Sequence, residues 1–467
     1  MSDATTPAPP YPPHEEQEAL PLLHDWATMV NFNPRLYYRP QSVDQLKALL
    51  PSLWQQGVAQ ERIRVTGSRH SCSTIFESDA VIDLSDLPKT IVFEPDNSAV
   101  TVSANWVLRD FLIECGKRNK SLPATGGTDA QTLAGLISTN TAPATPKYSM
   151  YDGLQWVEYL ELDPAGRKVT LKRVMRGDPT FPAMVCSLGV VGILTTVCFN
   201  LIDEPYYDTV QSVVKLADVL TNIEATSKKY DFWRINWIQE TDEGLLWTAN
   251  SVPAKDSKPN GDYPPDGSES ILKFVYLHID KLAHSGPLLD RFMRWVLRLV
   301  AATYKTTRAT GPLRNMMPVD RTAPLHVAMA EWSFDPKHLD EARAAVQAYF
   351  ETNKWPNLPI EIELVKADSY WMSSWNWGNG YDYLAKMNFQ YLTDVCDAAG
   401  KQAINDHLEG LWNHLLASGI AFKGHWAKIN FMDYAFVKQN YALDKFAPLV
   451  SPVLLNDYLN KRLEKGS

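Results

Sequence analysis

The chain has 467 residues, 45% of them hydrophobic, enough for two or three domains with substantial cores. Its formal net charge of −9 argues against a nucleic-acid binder, which needs a basic face to neutralise phosphates. No apolar run reaches the roughly 18 residues of a membrane span, so neither nucleic acid nor membrane is expected among its partners.

Met1 to Gln17 carries prolines at 7, 9, 10, 12 and 13 and lacks the basic and apolar regions of a secretory signal. Residues 1–28 are therefore expected as a flexible arm and the protein as cytoplasmic. Ser42-Val43-Asp44-Gln45 has the form of a capping box, and Val43, Leu46, Leu49 and Leu50 follow with helical spacing. Arg62 to Thr66 alternates as a strand and runs into the small-residue loop Gly67-Ser68-Arg69-His70-Ser71. That loop lacks the Lys of a P-loop and the GxGxxG of a Rossmann turn, so as a phosphate cradle it would work through backbone N–H groups. Taken alone, a single His after a strand is more often structural than functional.

Ala80 to Leu84 predicts another strand, and Thr90–Phe93 pairs with Val100–Ser103 across Asp96-Asn97-Ser98. Trp106 to Cys115 is amphipathic and ends at Gly116. Thr128-Asp129-Ala130-Gln131 offers a second capping box, opening a helix in which Ala134 and Gly135 allow close backbone approach. The candidate diphosphate contacts are Gly127, Thr128, Asp129, Thr132 and Gly135, with the hydroxyls of Ser138, Thr139 and Thr141. A polar loop capping a core helix is the alternative. Glu158–Leu162 and Lys168–Lys172 flank a hairpin turn, and Ser187–Phe199 reads as a buried strand with Gly192 and Ile193 offering backbone groups to a ligand. Pro205 marks a boundary, giving units 29–205, 206–420 and 421–467.

Phe232–Trp237 predicts a strand and Pro253–Ser270 a polar loop. Leu289, Phe292, Val296, Leu299, Val300 and Thr303 form a stripe read as core-packed, with a membrane-surface helix as the alternative. In Pro359–Val365, period-two geometry places Glu361 and Glu363 on one face. Two such carboxylates raise each other's pKa unless a cation intervenes, for which Lys428 and Lys366 are the candidates. Ser369–Trp377 is rich in aromatics, suited to stacking on a substrate or to interface packing. Cys72, Cys115, Cys186, Cys198 and Cys396 are widely spaced without a CxxC pair, so reduced thiols are expected and no metal.

Taken in order, Arg64–Ser71, Leu122–Thr141 and Ser187–Val197 resemble the vanillyl-alcohol-oxidase superfamily of FAD enzymes, whose FAD-binding domain is of the PCMH type. Gly424-His425-Trp426-Ala427-Lys428 is similar to the His-Trp-small-Lys signature of its aldonolactone and alditol oxidase branch, and the resemblance covers roughly residues 30 to 460. It implies an α+β fold: a two-part PCMH-type FAD-binding domain plus a substrate (cap) domain with an antiparallel sheet flanked by helices.

The resemblance also implies FAD, 8α-linked through His70 alone, since no cysteine lies between Thr125 and Tyr151. Glu361 is the implied base and Lys428 the implied stabiliser of negative charge near the reduced flavin, with His425 and Tyr370 as further proton acceptors. Two departures stand out. Glu363 occupies the position of the family's Arg, and Ala142-Pro143-Ala144-Thr145 replaces its His-Gly-Ser-Gly. The expected function is an FAD-dependent oxidoreductase removing hydride from a C–H next to a hydroxyl or amine of a small molecule, of aromatic or cationic character. Sugar-lactone or alditol oxidation and a non-catalytic FAD-binding scaffold are the alternatives. Dioxygen is the candidate electron acceptor, and oxidase, dehydrogenase and oligomeric state stay open.

Overall fold

The computed structural model describes residues 20–55, 62–163, 168–239, 241–254, 301–317, 326–353, 358–394 and 396–465, with positions 292, 295, 296, 298, 299 and 356. The hairpin turn 164–167 and the loop residues 255–270 lie outside them.

The described chain opens on a short hairpin, β1 (Leu23–His24) and β2 (Asn31–Phe32). Residues 20–28, expected within a flexible arm, are thus structured: Leu23, Asp25 and Ala27 are buried, because the turn packs against the rest of the protein. β3 (Leu36–Tyr38) leads into α1 (Val43–Gln55), capped as expected by Ser42, whose Oγ accepts from the Gln45 N–H at 3.0 Å. β4 (Ile63–Thr66) and β5 (Ala80–Asp83) complete a parallel sheet in the order β3-β5-β4.

β6 (Ile91–Phe93) and β7 (Ala99–Ser103) form the expected hairpin, followed by α2 (Leu108–Gly116), β8 (Lys120–Ser121) and α3 (Leu133–Thr139). With β9 (Leu154–Asp163), β10 (Lys168–Met175) and β11 (Ile193–Asn200) they build an antiparallel sheet ordered β10-β9-β11-β7-β6, and β12 (Ile202–Asp203) pairs with β8.

An eight-stranded antiparallel sheet follows. Its strands are β13 (Tyr206–Lys215), β14 (Phe232–Trp237), β15 (Glu243–Val252), β16 (Thr307–Pro312), β17 (Val327–Phe334), β18 (Ile360–Lys366), β19 (Tyr383–Leu392) and β20 (Phe422–Gly424). They lie in the order β16-β13-β15-β14-β18-β19-β17-β20. Period-two alternation gives its central strands two unlike faces. Trp332, Ile362, Met387 and Phe389 share one face and pack against the helices Leu339–Thr352 and Ala398–Ala417, with Trp332 5.3 Å from Trp412 and Phe350 6.2 Å from Phe389 between ring centroids. Each such buried side chain contributes about 1.5–3 kcal/mol. The opposite face carries Arg234, Glu331, Glu361, Glu363, Lys386 and Asn388.

One expected core stripe is not seen. Phe292, Leu299 and Thr303 are exposed, while Val296 is buried and Ala301 clusters with Ile238; Leu289 and Val300 lie outside the described residues. No helix among the described residues is long and apolar enough to cross a membrane.

Candidate active site

A cleft of about 560 Å³ runs along the end of β4. Gly67, Ser68, Arg69, His70 and Ser71 form one wall; Thr132, Gly135, Ser138 and Thr139 of α3 form a second; Gly189, Gly192 and Ile193 form a third, and Ala427 closes it. The glycines are needed for the close approach of these walls. A Cβ at Gly67 would overlap the Thr132 hydroxyl, and one at Gly192 would run into the Tyr159 ring and the Leu160 carbonyl. Arg64 locks the walls from beneath, donating to the carbonyls of Ile75 at 2.8 Å, Leu188 at 2.7 Å and Leu454 at 2.6 Å. Lined by close-packed glycines, hydroxyls and apolar side chains together, the cleft fits a group with a polar phosphate part and a planar ring, such as FAD.

The segment expected to hold the diphosphate is built differently from expectation. Thr132, not Thr128, caps α3, its Oγ1 accepting from the Gly135 N–H at 3.2 Å. Asp129 is buried and ion-paired with Arg109 at 2.8 Å, so its carboxylate does not cap the helix. Thr128 accepts from the Ala130 N–H at 3.4 Å, and Thr141 donates to Gln131 Oε1 at 2.9 Å. Gly127, Thr128, Asp129 and Thr141 accordingly do not line the cleft.

Glu361, Glu363, His425 and Lys428 do not line it either. They lie on or beside the polar face of the large sheet, and the turn after β20 joins that face to the segment following the Gly67–Ser71 loop: the Cys72 N–H donates to the Ala427 carbonyl at 2.8 Å and Ser73 to the Trp426 carbonyl at 3.2 Å. The period-two placement of Glu361 and Glu363 holds, and both are buried, at 9% and 4% exposure. The expected cations do not serve them. Lys366 pairs with Asp152 at 3.1 Å and Lys428 Nζ contacts Met329 Sδ at 3.5 Å. Arg234 instead reaches Glu361 at 2.9 Å from β14, and Asn388 Nδ2 donates to its other oxygen at 2.5 Å. Lys386 on β19 pairs with Glu363 at 2.5 Å and lies 3.8 Å from Glu331.

The electrostatics divide the two carboxyls. Burial works against ionising Glu361, but Arg234 and Lys386 outweigh it and hold the carboxyl below its usual range. Burial and the neighbouring Glu361 charge push Glu363 up to about 8. Burial opposes the charge on Lys386 too, yet Glu331, Glu363 and Glu361 keep the ammonium above its ordinary range. Such a cluster holds one carboxylate ionised beside another that keeps its proton.

The His425 Nδ1 accepts from the Ala427 N–H at 3.2 Å, so the neutral ring carries its proton on Nε2, 3.9 Å from Glu331 Oε1. Burial drives His425 down to about 4 against the pull of Glu331. Burial, aided by Lys428 and opposed by Asp129, drives His70 down to about 3, so its imidazole is neutral at physiological pH. Of the aromatic run, Trp375 is buried with its ring 6.4 Å from that of His425, while Tyr370 sits 6.1 Å from the Tyr151 ring.

Sequence reading missed Arg234, Glu331, Lys386 and Asn388. Their signal was present: each interrupts an otherwise apolar strand at period two, the mark of a buried polar face.

Residues 34–172 match the FAD binding domain family and residues 197–451 the D-arabinono-1,4-lactone oxidase family. The D-arabinono-1,4-lactone oxidase of Kluyveromyces lactis is 28% identical over 55% of this chain and 48% of its own length. The L-gulonolactone oxidase of Scyliorhinus torazame is 21% identical over 94% of this chain and 97% of its own. The chain spans about half the length of the yeast lactone oxidases it matches. Among solved structures, cholesterol oxidase from B. sterolicum has a TM-score of 0.72 at 13% identity, covering 98% of this chain and 100% of that one, a likeness of fold.

Proposed function

Because the chain belongs to the D-arabinono-1,4-lactone oxidase family, we propose that it is an FAD-dependent oxidase removing hydride from a carbinol C–H of a small polyhydroxylated substrate, a sugar lactone foremost. The observation that carries this reading is Glu361, buried and oriented between Arg234 and Asn388. An ionised carboxylate fixed in this way can take the hydroxyl proton as hydride leaves the carbon. FAD supplies the hydride acceptor. Lys428 stabilises the negative charge that develops beside it, in a site where few waters compete.

In this reading residues 29–205 hold the FAD, 206–420 face the substrate, and 421–467 return Lys428 to the flavin. Gly67 to Ser71, Thr132, Gly135, Ser138, Thr139, Gly192 and Ile193 contact FAD, and His70, neutral and thus nucleophilic, carries its covalent link. The names of the relatives support dioxygen as acceptor.

Two unpaired carboxylates would have favoured a cationic donor. Arg234 neutralises Glu361, and Glu363 keeps its proton beside Lys386, which removes that ground and favours a neutral polyol or lactone.

Anaerobic mixing with sugar lactones, alditols, aromatic alcohols and amines, followed by flavin absorbance, tests the reading. Bleaching by a sugar lactone is expected. Bleaching by amines or aromatic alcohols alone would refute the substrate class, and none by any donor would refute the activity.

A further inference from the structure

We propose that Trp26, on the N-terminal hairpin, is a positioning residue for His70: its indole fixes the imidazole in the orientation from which the flavin link forms. The inference rests on the reading that His70 carries the FAD. The two ring centroids lie 4.5 Å apart at an interplanar angle of 50°.

The hairpin is fastened on both sides of this contact. Towards the flavin loop, the Trp26 N–H donates to the Arg69 carbonyl at 2.9 Å and Arg69 Nε donates to the His24 carbonyl at 3.2 Å. These bonds hold Arg69 at a φ of 50°, a left-handed conformation that a non-glycine residue keeps only when its surroundings enforce it, and that sets the direction of His70. Towards the large sheet, Thr393 Oγ1 donates to the Ala27 carbonyl at 2.6 Å and Lys401 Nζ to the Thr28 carbonyl at 2.5 Å. Asp25 closes the turn, accepting from the Val30 N–H at 3.0 Å.

Trp26 also packs on the Val327 and Leu392 cluster, against which Met329, the contact of Lys428, packs as well. The hairpin therefore straps the FAD side to the substrate side beside the point where His70 and Lys428 approach each other. A ring free to rotate samples the reactive direction for part of the time; one held against an indole with few rotatable bonds samples it constantly.

In the linking step the flavin 8α-methyl loses a C–H and His70 an imidazole N–H, and a C–N bond replaces both. The two electrons and two protons released pass to dioxygen as hydrogen peroxide.

Full-length wild type, Trp26→Ala and Trp26→Phe, prepared without flavin from riboflavin-depleted cells, are incubated with FAD in air. Quenching of flavin fluorescence reads non-covalent binding, and acid-stable FAD reads the link. Trp26→Ala should bind FAD within about twofold of wild type yet form the link at least about tenfold more slowly, with Trp26→Phe restoring most of the rate. Trp26→Leu, which keeps apolar bulk without a broad ring face, takes the place of Trp26→Ala if that variant does not fold. Linkage at the wild-type rate overturns the proposal, as does a loss of binding equal to the loss of linkage. Absence of acid-stable FAD in wild type overturns the underlying reading of His70 and this inference with it.

Discussion

Glu363 and Lys386 face each other across β18 and β19 with 2.5 Å between Oε2 and Nζ, both almost wholly removed from water. Lys386 is also the buried cation that holds Glu331 and Glu361 ionised, so removing it leaves buried carboxylates under-compensated, at a cost of about 3–5 kcal/mol. Lys386→Met should therefore lower the unfolding free energy by about that amount in urea titrations. The double variant Lys386→Met/Glu363→Met should recover part of the loss and not all of it, since Glu331 also leans on Lys386 at 3.8 Å. A double variant no more stable than Lys386→Met would show that the Glu363 carboxyl and the Lys386 ammonium do not interact.

Glu361 stands apart from its neighbour because it is both oriented and ionised. A positioned general base contributes about 10²–10⁴-fold, so Glu361→Gln should slow anaerobic flavin reduction by a factor in that range while leaving the bound-flavin spectrum intact. Glu363→Gln should slow it far less. Equal rates for wild type and Glu361→Gln in stopped flow would move the proton acceptor to His425 or Tyr370.

Much of this is legible in the sequence. The loop Gly67–Ser71, the glycines at 135 and 192 and the Glu361/Glu363 spacing follow from local pattern, because turns, close approaches and strand faces are set within a few residues. Registers between strands are not. Arg234 meets Glu361 only because β14 lies against β18, and Lys386 meets Glu363 only because β19 lies on its other side, pairings closed over more than a hundred and about twenty residues of chain respectively. The Thr128 capping box failed for a related reason: Thr141 engaged the Gln131 side chain, while Arg109, on a different helix, engaged Asp129. Long-range partners overrode a local signal of about 1 kcal/mol.

The Arg234 guanidinium has an effect on pH dependence separate from its structural one. It helps hold Glu361 below the usual carboxylate range against the opposing effect of burial. In Arg234→Gln burial prevails, the carboxyl rises, and the acidic limb of kcat/KM should move to higher pH. Activity at neutral pH falls and returns in part under alkaline conditions. A uniform loss with an unshifted profile would mean that Arg234 serves only packing.

His425 makes the fold itself sensitive to acid. Burial pushes its imidazole down to about 4, Glu331 partly opposing and Lys428 assisting, whereas in the unfolded chain it titrates near 6.5. Between those values the unfolded state binds the extra proton, so stability rises with pH and is lost as pH falls from about 6.5 towards 4. The separation limits this contribution to about 3 kcal/mol. His425→Asn is the informative variant, because Asn Oδ1 can replace Nδ1 as acceptor for the Ala427 N–H while removing the titration. Glu363, raised to about 8, acts in the opposite direction, gaining stability as pH falls, and His70 acts in the same direction as His425, but both are common to the two proteins and cancel in the difference. Urea unfolding across this window should show wild type losing stability more steeply than His425→Asn. Parallel curves would place the His425 ring in contact with water and able to charge freely in the folded state.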